Sequence, residues 1–387
     1  MDLEIPRKLK PLVAQARAVA ANVLRPISRK YDTAEHAYPK ELDMLAALLD
    51  GLNAGGAGAS AGSLSKHDGG DGKIRNGGNM ATVLGMFELA WGDVGLALTL
   101  PRQGLGNAAL AAVGTDEQKA AFGKRWIAMA ITEPGAGSDS AAIRATARRD
   151  GDAWVLDGEK IFVTAGERAD AIVVWATLDP ALGRAAIKSF LVPKDAPGIR
   201  VARLEKKLGI RASDTATIVL ESCRIPLANI LGSPEIETKA SFAGVMKTFD
   251  NTRPVVAAMA VGVASAALER TRELVHGGDP VTLAELDRLD AELEAARLLT
   301  LKAAWMADNR IPNSLEASMA KAKAGRMVTE VTLRCVELAG PVGYGEGELL
   351  EKWARDAKIL DIFEGTQQIQ MLIVARRLLD KTSAELR

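Results

Sequence analysis

The chain has 387 residues, 48% of them apolar and 25% charged, the profile of a folded globular protein with two or three domains. Lys plus Arg and Asp plus Glu both number 49, so the basic surplus that a nucleic-acid or anionic-membrane binder needs is missing. Two cysteines (Cys223, Cys335) and three histidines (His36, His67, His276) suggest neither a disulfide framework nor a multi-histidine metal centre.

No uninterrupted apolar run approaches the ~20 residues of a membrane span. The longest, Val255 to Leu268, is short and Ala/Gly-rich, and the opening MDLEIPRKLK is too charged for a secretion signal. A cytoplasmic protein is expected. The first 125 residues read as helical: Leu9 to Leu24, which Pro26 should end, then Glu41 to Leu49, Met80 to Leu100 and Asp116 to Trp126. Between Gly51 and Gly78, ten of 28 residues are glycine, too few apolar groups to offset ordering entropy. A long mobile loop is expected, either a surface insertion or a substrate-responsive lid.

From 126 to 233 the segments become short and rich in Val, Ile, Thr and Trp. Trp154-Val155-Leu156 and Ile161 to Thr164 flank Asp157-Gly158, a dipeptide that tolerates positive φ and predicts a tight hairpin. Ala171 to Thr177, Ser189 to Val192 and Thr217 to Leu220 predict further strands. From 234 onward long helical patterns return, with an apolar stripe through Leu286, Leu289, Leu293 and Ala296. Their interiors look free of Pro and Gly, which suggests a four-helix bundle carrying an oligomer contact. The expected fold is multi-domain α+β: a helical domain (1–125), a central β-barrel or sandwich (126–233) and a C-terminal four-helix bundle (234–387).

Thr132-Glu133-Pro134-Gly135-Ala136-Gly137-Ser138-Asp139 sits where helix gives way to strand. Its glycines would let backbone N–H groups converge on an anion or carbonyl oxygen, although a plain β-turn has the same composition. Phe162 and Thr164 alternate on one strand face, offering an aromatic plane beside a hydroxyl. Asp250-Asn251-Thr252-Arg253 opens a helix, and Glu364-Gly365-Thr366 follows Arg355-Asp356-Ala357-Lys358. By spacing, Gly365 reads as a helix C′ residue, Thr366 as the next N-cap and Glu364 as a solvated last-turn residue. An anion there opposes the helix dipole, which leaves a functional reading open.

In order, GTDEQK (114–119), TEPGAGSD, DGEKIFVT, KLGIRASDT, FDNTRPVVAAMAVG (249–262) and RDAKI…FEGTQQIQ resemble the acyl-CoA dehydrogenase family of flavoenzymes over nearly the whole chain. The resemblance implies FAD, an acyl-CoA substrate and an electron-transfer flavoprotein as partner. It makes Glu364 the catalytic carboxylate that takes the α-proton while the β-hydrogen leaves as hydride, giving a trans-2-enoyl-CoA. It also places Met129, Ile131, Thr132, Gly137, Ser138, Phe162, Thr164, Thr366 and Gln368 against the flavin, with Ser138 also near the thioester. Asp250, Arg253 and Gly365 fall on the substrate side, Arg253 close enough to orient the base. Ala97 and Pro101 floor the acyl pocket, neither bulky nor charged, which suggests room for a long or bulky acyl chain.

Two family patterns are broken. Where an Arg-x-x-Phe-Gly motif is expected, the chain reads Leu274-Val275-His276-Gly277-Gly278-Asp279-Pro280. Where Gln-x-x-Gly-Gly-x-Gly is expected, it reads Glu337-Leu338-Ala339-Gly340-Pro341-Val342-Gly343. Both belong to the half-site that one subunit lends to another, which favours a hetero-tetramer with a related subunit over a homotetramer. Alternative readings are an acyl-CoA oxidase and an accessory subunit that stabilises a catalytic sibling.

Overall fold

The computed structural model describes residues 5–43, 45, 77–101, 104–236, 243–382 and 385. Residues 51–76 of the glycine-rich segment and most of 41–49 lie outside the described residues. The first helices are α1 (Lys10–Val19) and α2 (Arg25–Thr33). Pro26 was expected to end the helix, but the helical path continues through it. A π turn over Ala20–Leu24 lets the Arg25 N–H reach back to Ala20 O. Pro26 then stands in the first turn of α2, where a missing donor costs little.

Helices α3 (Gly78–Ala97), α4 (Leu105–Val113) and α5 (Asp116–Phe122) complete the N-terminal part. The α3 N-terminus is capped from far away: Asp308 accepts from the backbone N–H groups of Gly77, Asn79 and Met80 at 2.7, 2.9 and 3.0 Å. Near its other end α3 breaks at Asp93, whose φ of −167° and ψ of 119° are extended rather than helical.

The middle domain is one sheet of β1 (Ile127–Ala130), β2 (Thr146–Asp150), β3 (Ala153–Thr164), β4 (Ala171–Thr177), β5 (Ile187–Pro193), β6 (Ile199–Leu204), β7 (Thr215–Pro226) and β8 (Ile230–Leu231). The order is β6-β7-β3-β2-β4-β5-β8, with β1 parallel to β4. Strand β4 is buried along its whole length. Ile172, Val174 and Ala176 enter one core and Ala171, Val173 and Trp175 a second, shared with Leu110 and Phe122 from the flanking helices.

The hairpin expected at Asp157-Gly158 is a bulge instead. β3 runs straight through it, and its pairing with β7 shifts register between Leu156 and Gly158. The Asp157 carboxylate accepts from Ser222 N–H at 2.6 Å. Gly158, at φ 145°, lies so close to Ala145 that an added Cβ would meet that residue's Cβ at 2.6 Å. The actual turn lies between β2 and β3, where Gly151 takes φ 62°.

The C-terminal bundle contains α6 (Ala243–Leu274), α7 (Pro280–Asp308), α8 (Ser314–Ala339), the short α9 (Pro341–Tyr344), α10 (Leu350–Leu360) and α11 (Gln367–Leu379). Contrary to expectation, α6 contains both Pro254 and Gly262. Pro254 cannot donate to Asp250 O, and the Asn313 side-chain amide takes that carbonyl at 3.3 Å. Gly262 admits α3, since a Cβ there would lie 2.4 Å from Phe87 O. Asp250 and Arg253 therefore lie inside a long helix rather than opening one. Gly78–Ala97 and Phe249–Leu274 are long and apolar enough to cross a membrane, which a search for uninterrupted apolar runs misses. In each, 61% and 89% of the apolar window is buried within the protein, as expected of core helices.

Candidate active site

The turn joining α10 to α11 reverses through two left-handed residues, Glu364 at φ 54° and Gly365 at φ 94°. Glycine suits that geometry; a glutamate there stores strain of about 1–3 kcal/mol. Gln370, fully buried on α11, holds the turn by donating to Glu364 O at 3.1 Å and Gly365 O at 3.2 Å. A Cβ on Gly365 would sit 2.3 Å from that amide nitrogen. The Thr366 hydroxyl accepts from Ile369 N–H and caps α11, as its position predicted.

Glu364 is not the solvated side chain that spacing alone allowed. Its Oε2 is buried and has no hydrogen-bond partner among the described residues. Burial pushes its pKa above the usual carboxylate range; the Thr252 hydroxyl and the charges of Arg253 and Lys321 pull back without cancelling that push. Arg253 is buried, and its guanidinium is bonded to Asp250 at 2.8 Å on the same helix, with Nε left without a partner. Arg253 therefore reaches the Glu364 carboxyl through its field rather than through a direct bond, and the Asp250 carboxylate is already engaged. Burial lowers the Arg253 pKa and raises that of Asp250, each partly offset by the other.

The second group lies in the middle domain. Lys160, with no exposed surface, donates to Glu133 at 2.7 Å and to Ile131 O at 3.0 Å. Glu133 also accepts from the N–H groups of Arg144 and Ala145 at 2.6 and 2.9 Å. Ile161 N–H reaches Thr132 O at 2.9 Å. These bonds fix the Thr132–Asp139 turn, closed by reciprocal Glu133–Ala136 backbone bonds of 3.1 Å. Neither Gly135 nor Gly137 has positive φ, and a Cβ on either would meet nothing within 4 Å. The glycines thus leave open space over the turn rather than serving a left-handed backbone.

Phe162 projects from β3 at a second bulge, with φ 58° and 61% exposure. Thr164 stands two residues on, half-buried, across the buried Val163. Met129, Ile131 and Thr132 are half-buried and Ser138 is exposed. Gln368 is exposed on the first turn of α11. Ala97 is buried at the end of α3, and Pro101 is half-buried in the turn beyond.

The 206–214 segment links the two groups. Asp214 O accepts from Ala165 N–H at 3.0 Å, at the end of β3. At the other end Ile210 N–H donates to Asp356 at 2.5 Å, and Arg355 on α10 donates to Leu208 O at 2.9 Å. α10 ends four residues before Glu364. Lys160, Glu133, Gln370 and Lys321 were not singled out from sequence. For Lys321 a signal existed: it interrupts the apolar stripe of Ala317, Ala324, Val328 and Val331.

Family models for the N-terminal, middle and C-terminal domains of acyl-CoA dehydrogenase match residues 7–130, 128–223 and 242–379. The chain belongs to the acyl-CoA dehydrogenase family. Human mitochondrial short-chain specific acyl-CoA dehydrogenase is 35% identical over 395 residues, spanning 98% of this chain and 92% of that protein. The acryloyl-CoA reductase (NADH) of Anaerotignum propionicum is 32% identical, over 98% and 97% of the two chains. Among solved structures, butyryl-CoA dehydrogenase from Megasphaera elsdenii superposes with a TM-score of 0.84 at 30% identity, over 98% of this chain and 100% of that one. A glutaryl-CoA dehydrogenase in complex with glutaryl-CoA gives 0.86 at 27%, over 100% and 98%.

As a member of the acyl-CoA dehydrogenase family, the chain is an FAD-dependent oxidoreductase, and the residues present fit the cofactor. The hydroxyls of Thr132, Ser138 and Thr164 have no hydrogen-bond partner recorded among the described residues. The exposed Phe162 ring and the open space over Gly135 and Gly137 leave room for a flat aromatic group and its polar chain.

Proposed function

We propose that this enzyme dehydrogenates an acyl-CoA thioester between its α and β carbons, giving a trans-2-enoyl-CoA, with Glu364 as the base. The buried, unpartnered Oε2 of Glu364 is the observation that supports this most. A carboxylate kept from water by a turn that costs strain has a stronger claim to chemistry than to stability.

FAD, when bound, supplies the acceptor for the β-hydride and a hydroxyl donor to the thioester oxygen. The protein's part is to take the α-proton on the Glu364 carboxylate and to stabilise the negative charge that this develops on the thioester oxygen. The Glu364 backbone N–H has no acceptor recorded among the described residues and serves as a second donor to that oxygen. Against burial, the Thr252 hydroxyl and the charges of Arg253 and Lys321 favour the ionised carboxylate, the form that acts as the base. Phe162 and Thr164 would back the flavin, and the Thr132 and Ser138 hydroxyls would hold its polar part. An electron-transfer flavoprotein would then take the electrons.

The test is anaerobic titration of the flavin-loaded enzyme with saturated acyl-CoA thioesters of graded length. Bleaching by wild type and none by Glu364→Gln supports the reading; equal bleaching by both ends it. Peroxide formed in air would instead identify an oxidase.

The family's neighbour-facing positions support a hetero-tetramer with a related subunit. Glu337 is exposed and paired with Arg334 at 2.6 Å, and Val342 and Tyr344 stand out from the bundle surface at 51% and 66% exposure. A carboxylate there would repel phosphate oxygens. Co-expression with related chains, counting flavin per chain, checks the assembly. A fully flavinated homotetramer from this chain alone would refute it.

A further inference from the structure

Lys321 lies on α8 with no exposed surface. Its ammonium donates to Asp361 O at 3.0 Å, the carbonyl three residues before Glu364. One turn further along α8, Gly325 brings the helix backbone against the same segment: a Cβ there would lie 2.9 Å from Asp361 Cα and 3.1 Å from Leu360 O. Lys321 and Gly325 thus form a seat on which the base-bearing turn rests. A buried lysine is expensive unless something in the site uses its charge, and Lys321 makes no salt bridge within 4 Å among the described residues. A methionine would fill its place without that cost.

We propose that Lys321 is a positioning residue for the candidate base: its buried ammonium grips the backbone of the Asp361–Gly365 turn and, with Arg253, supplies the positive field around the Glu364 carboxylate. The inference rests on the dehydrogenase reading only in what it takes Glu364 to do; the seat itself is geometry.

The charged groups facing this centre come from every packed element. Asp361 and Glu364 belong to the turn, Arg253 and Asp250 to α6, Lys321 to α8, and Arg377 on α11 acts on Asp250. Burial lowers the Lys321 pKa to about 8 against the pull of Asp361 and Glu364, while Arg253 adds to the lowering. At neutral pH the ammonium is therefore mostly charged and can favour the ionised base.

The experiment follows the Glu364 carboxyl directly, by isotope-edited infrared titration of its protonated C=O band, identified by loss of the band in Glu364→Gln. Lys321→Gln keeps a donor for Asp361 O and removes the charge; Lys321→Arg keeps the charge. In Lys321→Gln the midpoint should rise by about one pH unit or more, and Lys321→Arg should return it toward wild type. The acid limb of kcat/KM should move by the same amount. An unshifted midpoint in Lys321→Gln overturns the proposal, whatever happens to turnover or melting temperature. If that variant does not fold, an unaltered midpoint in Lys321→Met or a midpoint raised equally by Lys321→Arg does so. Failure of the dehydrogenase reading would show separately, as full flavin bleaching by Glu364→Gln with the infrared shifts intact.

Discussion

Glu364 combines a left-handed backbone, a buried carboxyl oxygen and a raised pKa. If Glu364 is the base, it must be ionised to act, and kcat/KM should fall as pH drops through a value above the ordinary ~4.3 of glutamate. A pH–rate profile with its acid limb at or below that value would contradict this. The stability consequence has a definite sign. A carboxyl whose folded pKa is raised holds its proton longer in the native state, so stability is lost as pH rises through the folded value. Glu364→Gln should therefore melt at a higher temperature than wild type at neutral pH while turnover falls by about 10³-fold. Calorimetry showing a lower melting temperature would argue that the carboxylate supports the fold instead. The cap at Thr366 was readable from spacing, and Glu364 was singled out as the candidate base by the ordered motifs. Gln370 was not, because its partners are carbonyls fixed only when the turn folds, and Lys321 left only the trace of a charge within an apolar stripe, with no sign of the carbonyl that it grips.

At the scale of elements, local signals were misread where a distant strand or an unanticipated turn beside them decides the shape. Asp157-Gly158 has the composition of a turn, but pairing with β7 some 60 residues later makes it a bulge. Pro26 would end an isolated helix, yet the π turn before it carries the chain onward. The Thr132–Asp139 turn is another such case, since its shape depends on Lys160 from β3 meeting Glu133. Burial lowers the Lys160 pKa and the hydrogen bond to Glu133 opposes that. Lys160→Met would leave a buried carboxylate without its cation, costing about 3–5 kcal/mol. It should also loosen the Thr132–Asp139 turn, which the proposed function sets against the flavin. Chemical denaturation of the variant, with flavin retention after gel filtration, checks both effects; loss of stability with unchanged flavin content would separate the ion pair from the cofactor site.

Across the whole molecule, the three parts meet at a buried trio. Lys352 on α10 donates to Asp93 at the break in α3, at 2.7 Å, and to Asp356 at 2.5 Å; Asp356 in turn accepts from Ile210 N–H in the middle domain. Ser28 from α2 also bonds Asp93. Burial works against the Lys352 ammonium, but Asp356 and Asp93 outweigh it and hold its pKa above the usual lysine value. Arg355, beside it, reaches Asp32 at 2.6 Å. Lys352→Met should destabilise the protein by about 3–5 kcal/mol and lower the melting of sheet and bundle together. Near-ultraviolet and far-ultraviolet signals that separate only slightly in the variant would fit this; a loss confined to one domain would not. A single lysine here answers two acids from distant segments, so its loss would strand both, whereas loss of either acid would still leave an ion pair. Their sequence histories are therefore unequal: a tolerated loss of the lysine presupposes matching changes at both acids, while natural variants should show either acid replaced singly more readily than the lysine.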